Sequence, residues 1–303
     1  MSKKYIVYQI NSFTERKFSG NPAGVVLDAT GLSDTEMLLI AREINCSETA
    51  FIFPLDNNTD CKVEIRFFTP TVEVPICGHA TIAAHYVRAL NYSEQFECLN
   101  YSQKTKVGIL PIQVIKSENK IFVKMTQGKI NFEPISENNQ QKIMEALGIN
   151  ANDLLDKYPI EIASTGHSKV MIGIKSNGKL NTLKPDLNSL VNISNKVGCN
   201  GYFVFCVSNK DNEFSTNGRM FAPAIGINED PVTGNANGPL GAYLVKNKLV
   251  NSINNEFKFV ANQGEAINRF GSMNVEVLIE NNYPIEVNIQ GTAVEIFKTE
   301  IEI

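Results

Sequence analysis

Glu48 lies in Cys46-Ser47-Glu48-Thr49-Ala50-Phe51, where a helical pattern gives way to an apolar strand. A carboxylate at the mouth of a buried strand loses water, and desolvation makes a carboxyl a better proton acceptor, as general acid–base work requires. The same place also suits an exposed turn glutamate. His79 follows Gly78 at a helix start, where the positive helix end favours a neutral imidazole able to relay protons near pH 7. A lone histidine is more often a packing residue. Cys77, two residues earlier, puts a thiol at the same helix start, where it can act as nucleophile or base. Asp230 and its neighbour Glu229 precede a second Gly-bearing loop, Thr233-Gly234-Asn235-Ala236-Asn237-Gly238, and read either as chemistry or as helix caps. His85 reads as packing within a helix, and His167 as a loop histidine within reach of a ligand.

An internal repeat positions these residues. Arg66-Phe67-Phe68-Thr69-Pro70 is followed after six residues by Cys77-Gly78-His79-Ala80-Thr81 and a helix containing Ala84-His85-Tyr86-Val87. Arg219-Met220-Phe221-Ala222-Pro223 is followed after six residues by Asp230-Pro231-Val232-Thr233-Gly234, then a helix containing Ala242-Tyr243-Leu244-Val245. Each copy follows an apolar strand, Ala50–Phe53 or Tyr202–Phe205. The spacing sets Asp230 in the place of Cys77, with about five extra residues before the second helix. Helix N-termini offer unpaired N–H groups and partial positive charge, so two such loops are suited to hold a small carboxylate.

The remaining pattern is rich in strands. Tyr5–Asn11, Thr49–Pro54, Lys62–Phe68, Val107–Ile115 and Lys120–Met125 read as strands, the last two joined by a turn at Ser117-Glu118-Asn119. Ile160–Ala163, Lys169–Ile174, Tyr202–Val207, Phe257–Ala261, Met273–Ile279, Ile285–Ile289 and Ala293–Ile301 continue the pattern. Ser33-Asp34-Thr35-Glu36 is a capping box opening a helix to about Ile44. Thr81–Leu90, a helix from Ser136 to Gly148, Pro185–Ile193 and Pro239–Lys248 complete the helical segments. Strands with a few interspersed helices argue an α+β fold. The repeat divides it into a first domain, 1–125, and a second, 126–291, with the strand 292–303 packing back on the first.

Composition narrows the function. Hydrophobic residues make up 43%, charged residues 20%, and the net charge is −4. No basic cluster points to nucleic acid. The apolar run at Tyr5–Tyr8 is too short for a leader or a membrane span, so a cytoplasmic chain is expected. Six cysteines without C-x-x-C read as reduced thiols. No H-E-x-x-H or paired C-x-x-C occurs, so no metal site is expected.

Five motifs taken together resemble the phenazine-biosynthesis PhzF-like family. They are F-S-G-N-P-A-G (Phe18–Gly24), S-E-T-A-F (Ser47–Phe51), R-F-F-T-P with C-G-H-A-T (Arg66–Thr81), G-R-M-F-A-P with E-D-P-V-T-G-N-A-N-G-P-L (Gly218–Leu240), and Q-G-E-A-I-N-R (Gln263–Arg269). The resemblance spans nearly the whole chain. It implies the diaminopimelate-epimerase-like fold: two similar α+β domains, each a mostly antiparallel or mixed sheet wrapped round a central helix. It also implies a homodimer and an isomerase that moves a proton on a small carboxylate-bearing substrate, as in dihydro-hydroxyanthranilate isomerisation, without metal or organic cofactor. By resemblance, Glu48 is the acid/base, with His79 and Asp230 its catalytic partners. Cys77, Gly78 and Ala80 in the first loop, and Thr233, Gly234, Asn235 and Ala236 in the second, are substrate contacts. The sequence departs from the family at Asn235, where the namesake has Ser, and at Cys77, where it has a small apolar residue.

Two other readings compete. An amino-acid epimerase or racemase needs two opposed bases, and Cys77 with Asp230 or Glu48 is an unusual pair for that. A non-catalytic protein that binds a small acid would not need Glu48, His79 and Asp230 together.

Overall fold

The computed structural model describes residues 3–55, 61–91, 95–118, 120–210 and 213–303, so Asn119 of the expected Ser117–Asn119 turn lies outside the described residues. The chain divides into two compact units, Met1–Thr126 with Gln290–Ile303, and Gln127–Ile289.

The first unit runs β1 (Lys4–Ser12), β2 (Asn21–Val26), α1 (Asp34–Ile44), β3 (Glu48–Pro54), β4 (Val63–Phe68), β5 (Glu73–Val74), α2 (Gly78–Leu90), β6 (Cys98–Thr105), β7 (Gly108–Ser117) and β8 (Lys120–Thr126). The second runs β9 (Asn131–Pro134), α3 (Glu137–Leu147), β10 (Glu161–Ser164), β11 (Ser168–Gly173), α4 (Asn177–Thr182), α5 (Leu187–Val197), β12 (Tyr202–Lys210), β13 (Glu213–Ala222), β14 (Ile227–Asp230), α6 (Gly234–Lys246), β15 (Glu256–Gln263) and β16 (Gly271–Glu280). β17 (Tyr283–Glu302) begins in the second unit and ends in the first. No helix among the described residues is long and apolar enough to cross a membrane.

Both units use one pairing scheme. In the first, β1–β2 is antiparallel, β2–β3 parallel, β3–β4 and β4–β5 antiparallel, β4–β6 parallel and β6–β7 antiparallel. In the second, β10–β11, β11–β12, β12–β13, β13–β14, β13–β15 and β15–β16 repeat those senses in that order. In the first unit β8 pairs with β7 and β17, and β17 with β1, from Lys4↔Glu302 to Ser12↔Ala293, so the sheet closes. This is the mixed sheet round a central helix that the repeat and the resemblance predict.

The central helices are α2 and α6, each 13 residues long. They are apolar on nearly every side because strands surround them. Residues His79–His85 of α2 and Ala236–Val245 of α6 are buried. Close approach fixes Gly241 in α6, where a Cβ would come within 2.9 Å of Val275 and Val277. Outside each sheet lies a second apolar layer. Met37, Ile40 and Ala41 of α1 cover Tyr5, Val7, Val26 and Phe51, while Ile143, Leu147, Leu190 and Ile193 cover Val170, Ile172, Tyr202 and Val204.

Three details differ from the sequence reading. α6 begins at Gly234 although Pro239 sits inside it. Proline removes the N–H that would reach the carbonyl four residues back, and Asn235 at that place leaves helical geometry (φ −80°, ψ 16°). β2 is not among the strands read from the sequence, yet it pairs on both sides. β6 is also a strand, although its alternation is polar and partly exposed.

Candidate active site

The R-x-F-x-P motif turns out to be a brace for each loop. Arg66 on β4 donates from Nε and Nη2 to Glu73 on β5, at 2.8 and 2.7 Å, with its guanidinium over Phe68. Arg219 on β13 does the same to Glu229 on β14, at 2.8 and 2.7 Å, over Phe221. Each bidentate pair ties the short strand before the central helix to the sheet. Glu229 is therefore an ion-pair partner and not a helix cap.

In the first unit, Gly24 of β2 lies beside Thr49 of β3, so closely that a Cβ would meet Thr49 Oγ1 at 2.5 Å. That contact seats the start of β3, where Glu48 pairs in register with Ala23. α2 begins at Gly78, with Cys77 as N-cap residue. The Cys77 carbonyl accepts from the Thr81 N–H at 3.0 Å and Thr81 Oγ1 at 2.7 Å, while Ser12 Oγ donates to the His79 carbonyl at 2.7 Å. The backbone on both sides of the first turn is thus held.

Side chains converge there. His79 and Cys77 are each 7% exposed. His79 Nε2 lies 3.2 Å from Ser47 Oγ and 3.4 Å from Glu48 Oε2, and His79 Nδ1 lies 3.4 Å from Cys77 Sγ. The Glu48 side chain is 15% exposed, enough for contact with a ligand. A carboxylate, an imidazole and a thiol therefore share one pocket of backbone, with their ligand atoms within 4.8 Å of one another. The sequence reading named these three but not Ser47 or Ser12, which hold His79 by its ring and by its carbonyl.

In the second unit the helix starts fix the alignment of the repeat. α6 has Thr233 at its N-cap, so Thr233-Gly234-Asn235-Ala236-Asn237 stands where Cys77-Gly78-His79-Ala80-Thr81 stands in α2. Asn237 repeats the role of Thr81: its N–H and Nδ2 donate to the Thr233 carbonyl at 3.1 and 3.0 Å. The spacing argument paired Cys77 with Asp230 instead, because the second loop is three residues longer and Pro239 hides the first helical turn. Asp230 is a buried residue at the end of β14 and takes a short hydrogen bond from Thr233 Oγ1. Gln263, buried at the end of β15, accepts from Thr233 N and Asn237 Nδ2 and donates to the Asp230 carbonyl and Thr233 Oγ1. Its place in the Q-G-E motif was the only sign of this role.

The other histidines stand apart. His85 is fully buried between Tyr101 Oη and Gln103 Oε1, each at 2.8 Å, and burial holds its pKa down at about 3. His167 lies 3.5 Å from Asn200 Nδ2. Lys169 on β11 was read only as a strand residue. It is 2% exposed, and burial lowers its pKa to about 8 against the opposing pull of Asp230.

A family model described as phenazine biosynthesis-like protein matches residues 10–299. The chain belongs to that family. This phenazine biosynthesis-like chain is 56% identical, over 303 residues and 99% of both chains, to an uncharacterised isomerase of Clostridium acetobutylicum. It is 28% identical over 248 residues to the trans-2,3-dihydro-3-hydroxyanthranilate isomerase of Pseudomonas aeruginosa, covering 82% of this chain and 81% of that one. A PhzF-family crystal structure from Bacillus anthracis matches with TM-score 0.86 and 31% identity, over 99% of this chain and 100% of that one. Membership in the phenazine biosynthesis-like family places the chain among isomerase-type enzymes.

Proposed function

We propose that the chain is an isomerase that takes a proton from one carbon of a small carboxylate-bearing substrate and returns it to another, with Glu48 as the acid/base. The observation that carries this is the approach of His79 Nε2 to Glu48 Oε2 at 3.4 Å, in a buried setting braced on both sides. Ionised Glu48 accepts the proton, the C–H electron pair enters the conjugated system of the substrate, and a double bond shifts. The resulting carboxylic acid then gives the proton back at the second carbon. Atoms and oxidation state are unchanged, so the step requires no cofactor. His79 orients the carboxyl group and exchanges a hydrogen bond with it as the proton comes and goes. Gly78 and Ala80 let substrate approach the first helix start. Asp230, Thr233, Gly234, Asn235 and Ala236 are proposed as polar and backbone contacts of the second loop, where Asn235 offers an amide in place of a hydroxyl.

The cluster geometry favours this over racemisation. Two bases flanking one carbon stand about 6 Å apart, twice hydrogen-bond reach. Glu48, Cys77 and His79 lie within 4.8 Å of one another, so all three address one face of a substrate. At the corresponding helix start, α6 carries Thr233 and not a second thiol.

The test is incubation in deuterated water with a panel of small cyclic and amino carboxylates, trans-2,3-dihydro-3-hydroxyanthranilate included. Deuterium at carbon is followed by mass spectrometry. Uptake that disappears in Glu48→Gln is the expected result. Compounds that bind equally to both proteins, with no uptake in either, would leave a small-acid binding protein.

A further inference from the structure

The proton transfer above uses Glu48 and His79 and gives the Cys77 thiol no task. We propose that Glu48, Cys77 and His79 form a three-ligand site for one thiophilic divalent ion of the Zn2+ class, and that the bound ion excludes proton transfer. The binding half of this stands on geometry alone. The exclusion half rests on the isomerase reading.

Zinc bonds of about 2.3 Å to sulfur and about 2.0–2.2 Å to nitrogen and oxygen give tetrahedral ligand-to-ligand edges of roughly 3.3–3.6 Å. One ligand edge already has that length, Cys77 Sγ to His79 Nδ1 at 3.4 Å, while Glu48 Oε2 stands 3.4 Å from the other ring nitrogen, Nε2. One imidazole gives one nitrogen to an ion. Nδ1 fits best, because Nε2 then keeps Ser47 Oγ, 3.2 Å away, as the partner that fixes ring and tautomer. Cys77 and His79 sit on a first helical turn whose carbonyls are held by Thr81 and Ser12, so two ligands are pre-positioned. Glu48 is partly exposed and its flexible side chain starts within the same cluster, whose ligand atoms lie within 4.8 Å of one another, so it is the ligand that swings from the Nε2 side to complete the set. Three protein ligands leave the fourth position to water or substrate. The thiolate selects Zn2+, Co2+ or Cd2+ over Mg2+ and Ca2+. No zinc motif announced the site because its carboxylate comes from β3 and its other two ligands from the start of α2.

A carboxylate that ligates the ion cannot take a proton, so the ion is an inhibitor. The test titrates the metal-free, reduced chain with Co2+ alone. One ion per chain is expected, with a thiolate-to-cobalt charge-transfer band and the visible bands of a four-coordinate site, both displaced by Zn2+. Cys77→Ser removes the charge-transfer band, and His79→Gln weakens binding about tenfold or more. Cys98→Ser, at the exposed thiol, leaves the spectrum as it was. Thermal melts establish that each variant is folded. A charge-transfer band that survives Cys77→Ser, or no Co2+ bound at millimolar concentration, overturns the site. Undiminished deuterium uptake at saturating Zn2+ overturns the exclusion. The cobalt spectra are read without turnover, so a chain that binds the ion but isomerises nothing defeats only the isomerase reading.

Discussion

Gln263 and Thr233 hold each other twice: the Thr233 N–H donates to Gln263 Oε1 at 3.1 Å, and Gln263 Nε2 donates to Thr233 Oγ1 at 3.0 Å. The same amide takes Asn237 Nδ2 at 2.9 Å and gives its second N–H to the Asp230 carbonyl at 2.7 Å. One buried side chain thus sets the whole start of α6, including the carboxylate and hydroxyl proposed to meet substrate. Replacing Gln263 by Met keeps the volume but leaves the Thr233 N–H and one N–H of the Asn237 amide without the Gln263 oxygen, at about 1–3 kcal/mol each. Gln263→Met is expected to lower the urea midpoint and to raise KM for deuterium exchange more than it lowers kcat. An unchanged KM would mean that the second loop does not hold substrate.

The two arginine braces look alike but should differ in strength. The Arg219 side chain is 8% exposed and also donates to the Leu180 and Leu183 carbonyls, at 2.9 and 3.0 Å. Removing it strands Glu229 in a largely buried site, and breaking a buried pair from one side costs about 3–5 kcal/mol. Arg66 is more open, and Glu73 keeps Lys106 Nζ at 2.6 Å when Arg66 is lost. Arg66→Met should cost about 1–2 kcal/mol, nearer the range of exposed pairs. Urea unfolding of the two variants gives the order directly, and equal losses would show that the carbonyl contacts of Arg219 add nothing.

Much of this arrangement was legible because it is local. The Ser33–Glu36 capping box opens α1 as read, since both of its bonds lie within one turn. The repeated arginine and phenylalanine marked the sheet pairing of both copies. The alignment of Asp230 with Cys77 failed because counting from the arginines ignores an insertion between β13 and β14: Arg66 and Glu73 are 7 residues apart, Arg219 and Glu229 are 10. Helix starts, and not strand residues, carry the equivalence. Glu229 was read as a cap because sequence shows neighbours in the chain, while its partner Arg219 faces it from the adjacent strand. The contact of Ser47 with His79 spans 32 residues and has no local signature. Lys169 was invisible as a buried charge because its neighbours in sequence fit an ordinary strand.

His85 should make acid stability depend on one ring. Tyr101 Oη donates to Nδ1, Nε2–H donates to Gln103 Oε1, and the Arg88 guanidinium lies 3.5 Å from Nδ1. Burial first, and the Arg88 charge second, hold the folded pKa at about 3, below the ordinary 6.5. Between those values the unfolded chain binds the proton and the folded one does not, so stability falls as pH drops from 6.5 toward 3. His85→Phe leaves Tyr101 and Gln103 without their partner and should be the less stable protein at pH 7.5. Because Phe does not titrate, the gap should narrow as the pH falls to 4. Melting curves at the two pH values test this, and a constant gap would mean that the folded imidazole takes up its proton as readily as the unfolded one.

Lys169 presents the opposite balance, a cation buried at a net cost. Its Nζ has one hydrogen bond among the described residues, to the Ser168 carbonyl at 3.3 Å. Its charge is offset by Asp230 first and Cys199 second, yet burial outweighs both and lowers the pKa from 10.5 to about 8. A shift of that size corresponds to a destabilisation on the order of 3 kcal/mol for the charged form at neutral pH. The unfolded chain holds this proton between pH 8 and 10.5 more firmly than the folded chain does, so the native protein gains stability as pH rises through that window. Lys169→Met keeps the aliphatic packing and removes the charge. It should raise Tm by about 2–4 °C for each kcal/mol recovered at pH 7, and its advantage should shrink by pH 10, where the wild-type amine is already neutral. A Tm lower than wild type at pH 7 would show that the Lys169–Asp230 attraction exceeds the cost of burial and would make the lysine a structural support of the second loop.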